Sequence, residues 1–266
     1  SYARRYYRRI YGELHERHAD VPGNVWFWQK PERDACQTEW SSVRKPASWK
    51  FVENKIGDKY LIPLIAVYDT PSMIDYDKLP NKFVIKLNTG SGYNIVVKDK
   101  NSIDTKKISK KLTKWLKEDY SKMKKEPQYK NIKKKILIEK YISDSNNELL
   151  DYKFFCFKGK MEFLKVDYDR FKNHTVNFYD SNFKKIEVRE GNYKNFNGKI
   201  YKPRNFDEMK EIVKKLCLDF SFVRVDLYNV DGKIYFGELT FTPAAGINPF
   251  RPLEKDLEYG RKIDIK

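Results

Sequence analysis

Two short stretches carry side chains spaced for chemistry. The first is Lys86 followed by Asn88-Thr89-Gly90-Ser91-Gly92. Glycine reaches positive φ and lets backbone N–H groups approach a ligand closely. A loop of this kind can aim several donors at phosphate oxygens, and Lys86 stands where one ammonium reaches the same oxygens. The order is not that of G-x-x-x-x-G-K-[ST], whose lysine follows its glycines, and no G-x-G-x-x-G is present. An ordinary hairpin with a flexible five-residue turn has the same composition, and this stretch alone leaves the two readings level.

The second stretch is FVRVDLYNVDGKIYFGELTFTP, from Phe222 to Pro243. Its alternation predicts two antiparallel strands around Val230-Asp231-Gly232. A two-residue Asp-Gly turn pairs Asp226 with Gly237 and sends Glu238 to the opposite face. A three-residue loop pairs Asp226 with Phe236. Asp226, Glu238 and Arg224 then share a face, with the two acids diagonal neighbours. A metal held by both acids therefore predicts the three-residue loop; two exposed acids on a solvated face are the alternative. Magnesium favours one or two carboxylates plus nucleotide phosphates and neutralises charge that develops in phosphoryl transfer. No Ser-His-Asp arrangement competes.

The elements that must position these groups are legible from periodicity. Phe83–Leu87 and Ile95–Val97 read as strands flanking the glycine loop, entered by a turn at Leu79-Pro80-Asn81. Pro46 to Ile56 reads as a helix ending at Gly57, and Tyr60 to Tyr68 as a buried strand broken by Pro63. Thr105 to Lys125 reads as one amphipathic helix with Ile108, Leu112, Trp115, Leu116 and Met123 on its apolar stripe. Its lysines form a solvated face. Ile136–Ile138 is a short buried strand. Lys153–Phe157 and Lys160–Val166 make a hairpin about Lys158-Gly159, and a strand follows from His174 to Tyr179. Residues 184–202 read as loops and edge strands. Asp207 to Phe220 is a helix with Met209, Ile212, Val213, Leu216 and Phe220 on one face.

Length and composition set bounds. The 266 residues suit one large domain or two small ones, and 40% hydrophobic content with 15% aromatics argues against disorder. No apolar run is long enough to span a bilayer, and no signal-peptide pattern is visible at the start. Cys36, Cys156 and Cys217 read as small core residues of a protein in a reducing cytoplasm. His15, His18 and His174 form no zinc pattern. The net charge of +17 predicts attraction to anions, with a lysine-rich proteome bias as the other explanation. No nucleic-acid-binding motif is present. Residues 1–49 hold seven of thirteen arginines, four of five tryptophans and only two of 41 lysines. That break marks either a foreign segment or an N-terminal extension. Tyr6, Ile10 and Leu14 are spaced for a basic amphipathic helix over Ser1–His18.

Lysine before a glycine loop, an acid at a strand end (Glu139) and an Asp/Glu pair on the last strands resemble the ATP-grasp superfamily. IPLIAVYD, FVIKLNTGSGYNIVVKDK, ILIEKYI, DYKFFCFKGK and the 222–243 hairpin are similar to the TupA-like ATP-grasp family, named for teichuronopeptide synthesis. The resemblance covers about Lys45 to Leu257. It implies an α+β fold with mostly antiparallel sheets and two lobes that clamp ATP: a small lobe over 45–138, a catalytic lobe over 139–266, and residues 1–44 unexplained.

The resemblance also implies roles. Lys45 and Lys86 match ATP lysines, and Asn88, Gly90, Ser91 and Gly92 fall in the lid over the phosphates. Glu139 would accept from the adenine amino group, with Tyr141 and Ile142 in the hinge and Asp151 near the ribose. Arg224, Lys153 and Arg170 match basic catalytic positions, and Asp226 and Glu238 match magnesium ligands. Thr240 stands where the superfamily usually has asparagine as a third ligand, and a hydroxyl binds magnesium more weakly. The implied reaction is ATP-dependent joining of a carboxylate to an amine through an acyl phosphate. Its acceptor would be an acidic envelope sugar or peptide. ATP and Mg2+ are the implied cofactors; nucleic acid is not, and an anionic inner-membrane face is an allowed peripheral contact. A transferase acting with ATP or a sugar nucleotide, and a noncatalytic basic binding protein, are the alternatives.

Overall fold

The computed structural model describes residues 47–124, 132–145, 149–169, 173–241, 243–246 and 248–263. Lys45, Arg170, Cys36 and the expected Ser1–His18 helix lie outside these residues. Two compact units divide the chain: Ile62–Ile142 falls in one, and Phe51–Leu61 falls in the other with the residues from Ser143 onward. The boundary after Ile142 lies four residues beyond the expected 138/139, and Phe51–Leu61 groups with the C-terminal unit rather than the small lobe.

The expected first helix is present as α1 (Ala47–Ile56), closed by Gly57 at φ +88. In the larger unit Phe51 packs on Phe220, and Lys55 pairs with Asp219 at 2.7 Å. The stretch from Tyr60 departs from expectation. Asp58–Tyr60 is a 3-10 turn, and the strand begins only after Pro63 as β1 (Leu64–Tyr68). Ile65 is exposed, so β1 is a half-buried edge rather than a buried strand. Proline removes a ladder donor and is confined to such edges.

The smaller unit is a four-stranded antiparallel sheet. Its strands are β1, β2 (Phe83–Leu87), β3 (Asn94–Val97) and, after two helices, β4 (Ile136–Lys140), in the order β1-β4-β2-β3. Phe83, Ile85 and Leu87 alternate inward and meet Ile108, Leu112 and Trp115 of α2 (Thr105–Lys117). The expected single helix to Lys125 is two: α2 stops before Glu118, and α3 (Tyr120–Lys124) restarts. Lys134 Nζ donates to the Leu116 and Glu118 carbonyls at 2.7 and 2.5 Å, which satisfies the α2 C-terminus. Asp119 accepts from Lys122 N and Ser121 Oγ, so its side chain caps a new helix rather than continuing the old one. Met123 consequently leaves the stripe and is exposed.

The larger unit is built on seven strands: β5 (Asp151–Phe157), β6 (Lys160–Tyr168), β7 (Thr175–Asp180), β8 (Lys185–Ile186), β10 (Lys194–Asn195), β11 (Phe222–Val230) and β12 (Lys233–Thr240). The order is β10-β7-β6-β5-β11-β12, with β8 on β7 and only β10–β7 parallel. β9 (Arg189–Glu190) pairs instead with β13 (Phe250–Arg251). The expected helix near 207–220 is α4 (Phe206–Cys217), with Met209, Ile212, Val213 and Leu216 buried; Phe206 stacks on Phe154 of β5. Residue alternation sends Phe155 to the other face, into an aromatic group with Phe163, Phe250 and Tyr259 of α5 (Leu253–Lys262). Cys156 and Cys217 are buried free thiols in this core. Among the described residues no helix is long and apolar enough to cross a membrane.

Candidate functional site

Each unit holds one set of the residues singled out above. In the smaller unit, β2 and β4 are neighbours, which brings Lys86 to Glu139: the ammonium lies 2.5 Å from Oε2 of a buried carboxylate. Two residues assigned to different ends of a nucleotide thus meet each other.

The glycine loop is tied down rather than slack. The Asn88 amide accepts from Lys135 N at 2.8 Å and donates to the Lys133 carbonyl at 2.9 Å, extending the β2–β4 ladder with a side chain. Leu87 N donates to the Tyr93 carbonyl and Asn94 N to that of Gly92, closing the turn. Gly90 has φ +82, and a Cβ there would lie 2.6 Å from the Tyr120 ring, so α3 buttresses the loop. Tyr93 packs on Trp115 and Tyr120 and donates to Glu118 Oε2 at 2.5 Å. Burial first, and then Glu118, raises its hydroxyl pKa. Thr89 is buried with no hydrogen-bond partner for Oγ1, whereas Ser91 is exposed. Tyr141 and Ile142 follow β4 directly and are half-buried.

In the larger unit one row of charges crosses four strands. Glu238 on β12 faces Asp226 on β11, which faces Lys153 on β5, which faces Lys165 on β6. Directly opposed residues share a face. The expected three-residue loop is absent: Val230 pairs with Lys233, so the turn is the two residues Asp231-Gly232, at φ +50 and +89. A bulge at Gly237 adds the missing residue, with Leu227 opposite Phe236 and Asp226 opposite Glu238. The acids are therefore directly opposed rather than diagonal. A Cβ on Gly237 would come within 3.1 Å of the Asp226 carbonyl oxygen, which is why glycine suits the bulge.

Arg224 binds these acids together. Its Nε lies 2.6 Å from Asp226 Oδ1, and its Nη2 lies 2.7 Å from Asp226 Oδ2, 2.9 Å from Glu238 Oε1 and 2.8 Å from Thr240 Oγ1. Lys153 Nζ is 2.7 Å from Asp226 Oδ2, in contact with Asp151, and 3.7 Å from Asp167. Asp151 thus joins the cluster rather than standing apart from it. Burial opposes each charge, but the partners prevail. Asp226 is held below its ordinary carboxyl value by Arg224 and Lys153, and Lys153 above its ordinary value by Asp226 and Asp151.

Sequence reasoning missed the continuation of this row. Lys165 lies 2.5 Å from Glu190 and 3.6 Å from Asp167, and His174 Nε2 approaches Asp167 Oδ1 at 3.5 Å. Lys165, Asp167 and Glu190 are buried. The available signal was the mirrored order Asp151-x-Lys153 against Lys165-x-Asp167; a bulge between Phe155 and Cys156 opposes Lys153 to Lys165 and so places each lysine diagonally to the other strand's acid.

The donor set suits magnesium in type, with two carboxylates and a hydroxyl converging on one point. Among the described residues no three His, Cys, Asp or Glu side chains are arranged to hold a metal; the oxygens of Asp226, Glu238 and Thr240 surround the guanidinium instead. They would hold the ion if Arg224 moved.

No functionally curated protein matches the chain. D-alanine–D-alanine ligase from Bacillus anthracis complexed with ATP is 16% identical, with 81% of this chain and 63% of that one covered at a TM-score of 0.44. N5-carboxyaminoimidazole synthetase from Staphylococcus aureus complexed with ADP is 12% identical, with 73% and 43% covered and a TM-score of 0.45. The L-amino acid ligase from Bacillus licheniformis is 15% identical, with 73% and 44% covered at 0.42. The chain spans less than two thirds of each of these. The sequence model of the TupA-like ATPgrasp family matches residues 26–264, so the resemblance begins before Lys45 and leaves residues 1–25 of the unexplained segment outside it. The fold is α+β with mostly antiparallel sheets, and the chain belongs to the TupA-like ATPgrasp family.

Proposed function

We propose that this protein is an ATP-dependent carboxylate–amine ligase that works through an acyl phosphate. The observation that carries the reading is the convergence of Asp226, Glu238 and Thr240 on Arg224 Nη2, with Lys153 on the same carboxylate of Asp226, in a chain of an ATP-grasp family. A carboxylate and ATP are both anions, so their reaction depends on preorganised positive charge. Arg224 and Lys153 supply it from rigid strands. Asp226, Glu238 and Thr240 would hold magnesium, which contributes charge neutralisation at the phosphates.

In the smaller unit, on this reading, the backbone of Asn88–Gly92 and the Lys86 ammonium bind phosphate, and Glu139 with Tyr141 and Ile142 binds the adenine. Lys45 and Arg170 keep the roles implied by the family. The substrates fit a cell-envelope polysaccharide or peptide polymer bearing an acid, together with an amine, in the cytoplasm or at the inner membrane face. The family association supports that class, and the positive net charge is compatible with it.

The test is release of ADP and phosphate with MgATP over a panel of uronic acids and amines. Release that requires both acid and amine supports the ligase; a stable phosphorylated product rejects it in favour of a transferase.

A further inference from the structure

We infer that Arg224 is a built-in occupant of the Asp226–Glu238–Thr240 oxygen set, so that guanidinium and divalent ion exclude one another there; this rests on the metal assignment proposed above. Three oxygens from three residues surround one atom, Arg224 Nη2, at 2.7–2.9 Å. Magnesium draws oxygens to about 2.0–2.1 Å. An ion among the same oxygens leaves no room for Nη2. Guanidinium does not deprotonate in proteins, so the conflict cannot be relieved by neutralising it. Only movement of the side chain makes room.

The two sides of Asp226 differ in a way that fits this exchange. Lys153 Nζ and Arg224 Nη2 share Oδ2, each at 2.7 Å, whereas Oδ1 is bound by Arg224 Nε at 2.6 Å. Departure of Arg224 therefore opens Oδ1, Glu238 Oε1 and Thr240 Oγ1 to an ion, with the Thr240 hydroxyl still donating to Glu238 and Lys153 still holding Oδ2. Glu238 is the exposed member, with a side chain 60% accessible, so the set opens to solvent on that side. Once displaced, Arg224 is available to an anion. Linkage then requires an anion that binds the displaced guanidinium to strengthen ion binding, and the reverse. Release of the arginine thus depends on the ion.

The test reads metal binding without turnover. Mn2+ is titrated by electron paramagnetic resonance, with no nucleotide present, into the wild-type chain, Arg224→Gln and Lys165→Gln. If the oxygen set is free for less than about a tenth of the time, removing its occupant tightens apparent Mn2+ affinity about tenfold or more. Lys165→Gln removes a cation from the same sheet face without freeing a ligand, and is expected to change affinity much less. In the wild type, the Nε–H resonance of Arg224 should shift on addition of Mg2+ with ADP. An unchanged affinity in Arg224→Gln, an equal gain in Lys165→Gln, or an unmoved Nε–H resonance at saturation overturns the inference. Should Arg224→Gln fail to fold, the wild-type resonance decides alone. Because Mn2+ is titrated without nucleotide, failure here leaves the ligase reading standing, whereas absence of acid- and amine-dependent ADP release strikes that reading and not this one.

Discussion

Asp226 stands directly opposite Glu238, and the residue that puts it there is Gly237. Without the bulge, the two-residue turn would oppose Asp226 to Gly237 and turn Glu238 to the other face of the sheet. The hairpin therefore needs both a tight turn and one surplus residue. Gly237→Ala places a methyl 3.1 Å from the Asp226 carbonyl oxygen and 3.2 Å from the Tyr228 ring. We expect a loss of about 1–3 kcal/mol in urea unfolding, the usual range for overpacking. Deletion of Gly237 removes the surplus residue itself, so regular pairing keeps Glu238 opposite Asp226 and Mn2+ binding should persist in a chain that still folds. Lost Mn2+ affinity in a folded deletion variant would show that register alone does not assemble the oxygen set.

Lys153 sits among Asp151, Asp167 and Asp226 with almost no solvent contact. Lys153→Met leaves these carboxylates without their shared cation and should cost about 3–5 kcal/mol, the scale for breaking a buried pair from one side. The pH dependence follows from the shifts. The folded Asp226 carboxyl lies below its ordinary value, so its contribution is full above about 3.9 and fades as pH falls through the lower folded value. The folded Lys153 ammonium lies above its ordinary value, so its contribution is full below about 10.4 and fades as pH rises past it. Stability should therefore be flat between these limits from this pair, and Lys153→Met should remove the alkaline decline. Denaturant midpoints taken between these limits and beyond each of them measure it.

The legible parts of this molecule were those fixed by local pattern. The alternation in 222–240 located β11 and β12, and the 3.6-residue stripe through Met209, Ile212, Val213 and Leu216 located α4. Arg224, Asp226 and Glu238 were also readable as a group, but their register was not. Gly237 inside a strand pattern is a bulge signal, and the turn count alone overlooked it. The break at Glu118-Asp119 escaped because the hydrophobic stripe runs on while Lys134, distant in sequence, ends the helix. The Lys165–Asp167–Glu190 group depends on how β6 lies beside β5 and where β9 passes, which are nonlocal facts.

Glu238→Gln keeps the size of the side chain and removes its charge. With the metal assignment above, Mg2+-dependent turnover should fall by at least about 100-fold, since the electrostatic contribution at such sites is worth about 2.7–4 kcal/mol. ADP release under saturating MgATP measures it. Ordinary turnover in this variant removes Glu238 from the metal set and leaves Asp226 as its sole carboxylate.

Lys86 and Glu139 neutralise each other at 2.5 Å, so a nucleotide that uses both must first separate them. Lys86→Ala should weaken ATP binding by about tenfold or more, as loss of a charged hydrogen bond worth about 1.5–3 kcal/mol requires. Glu139→Gln acts in two opposing ways. It releases the ammonium toward the phosphates, yet it still offers an amide oxygen to an adenine amino group. We therefore expect Glu139→Gln to bind inorganic triphosphate more tightly than the wild type while gaining less for ATP. Isothermal titration of both ligands against both variants separates the contributions. Equal changes for triphosphate and ATP in Glu139→Gln would mean that Glu139 restrains Lys86 but has no part in recognising the base.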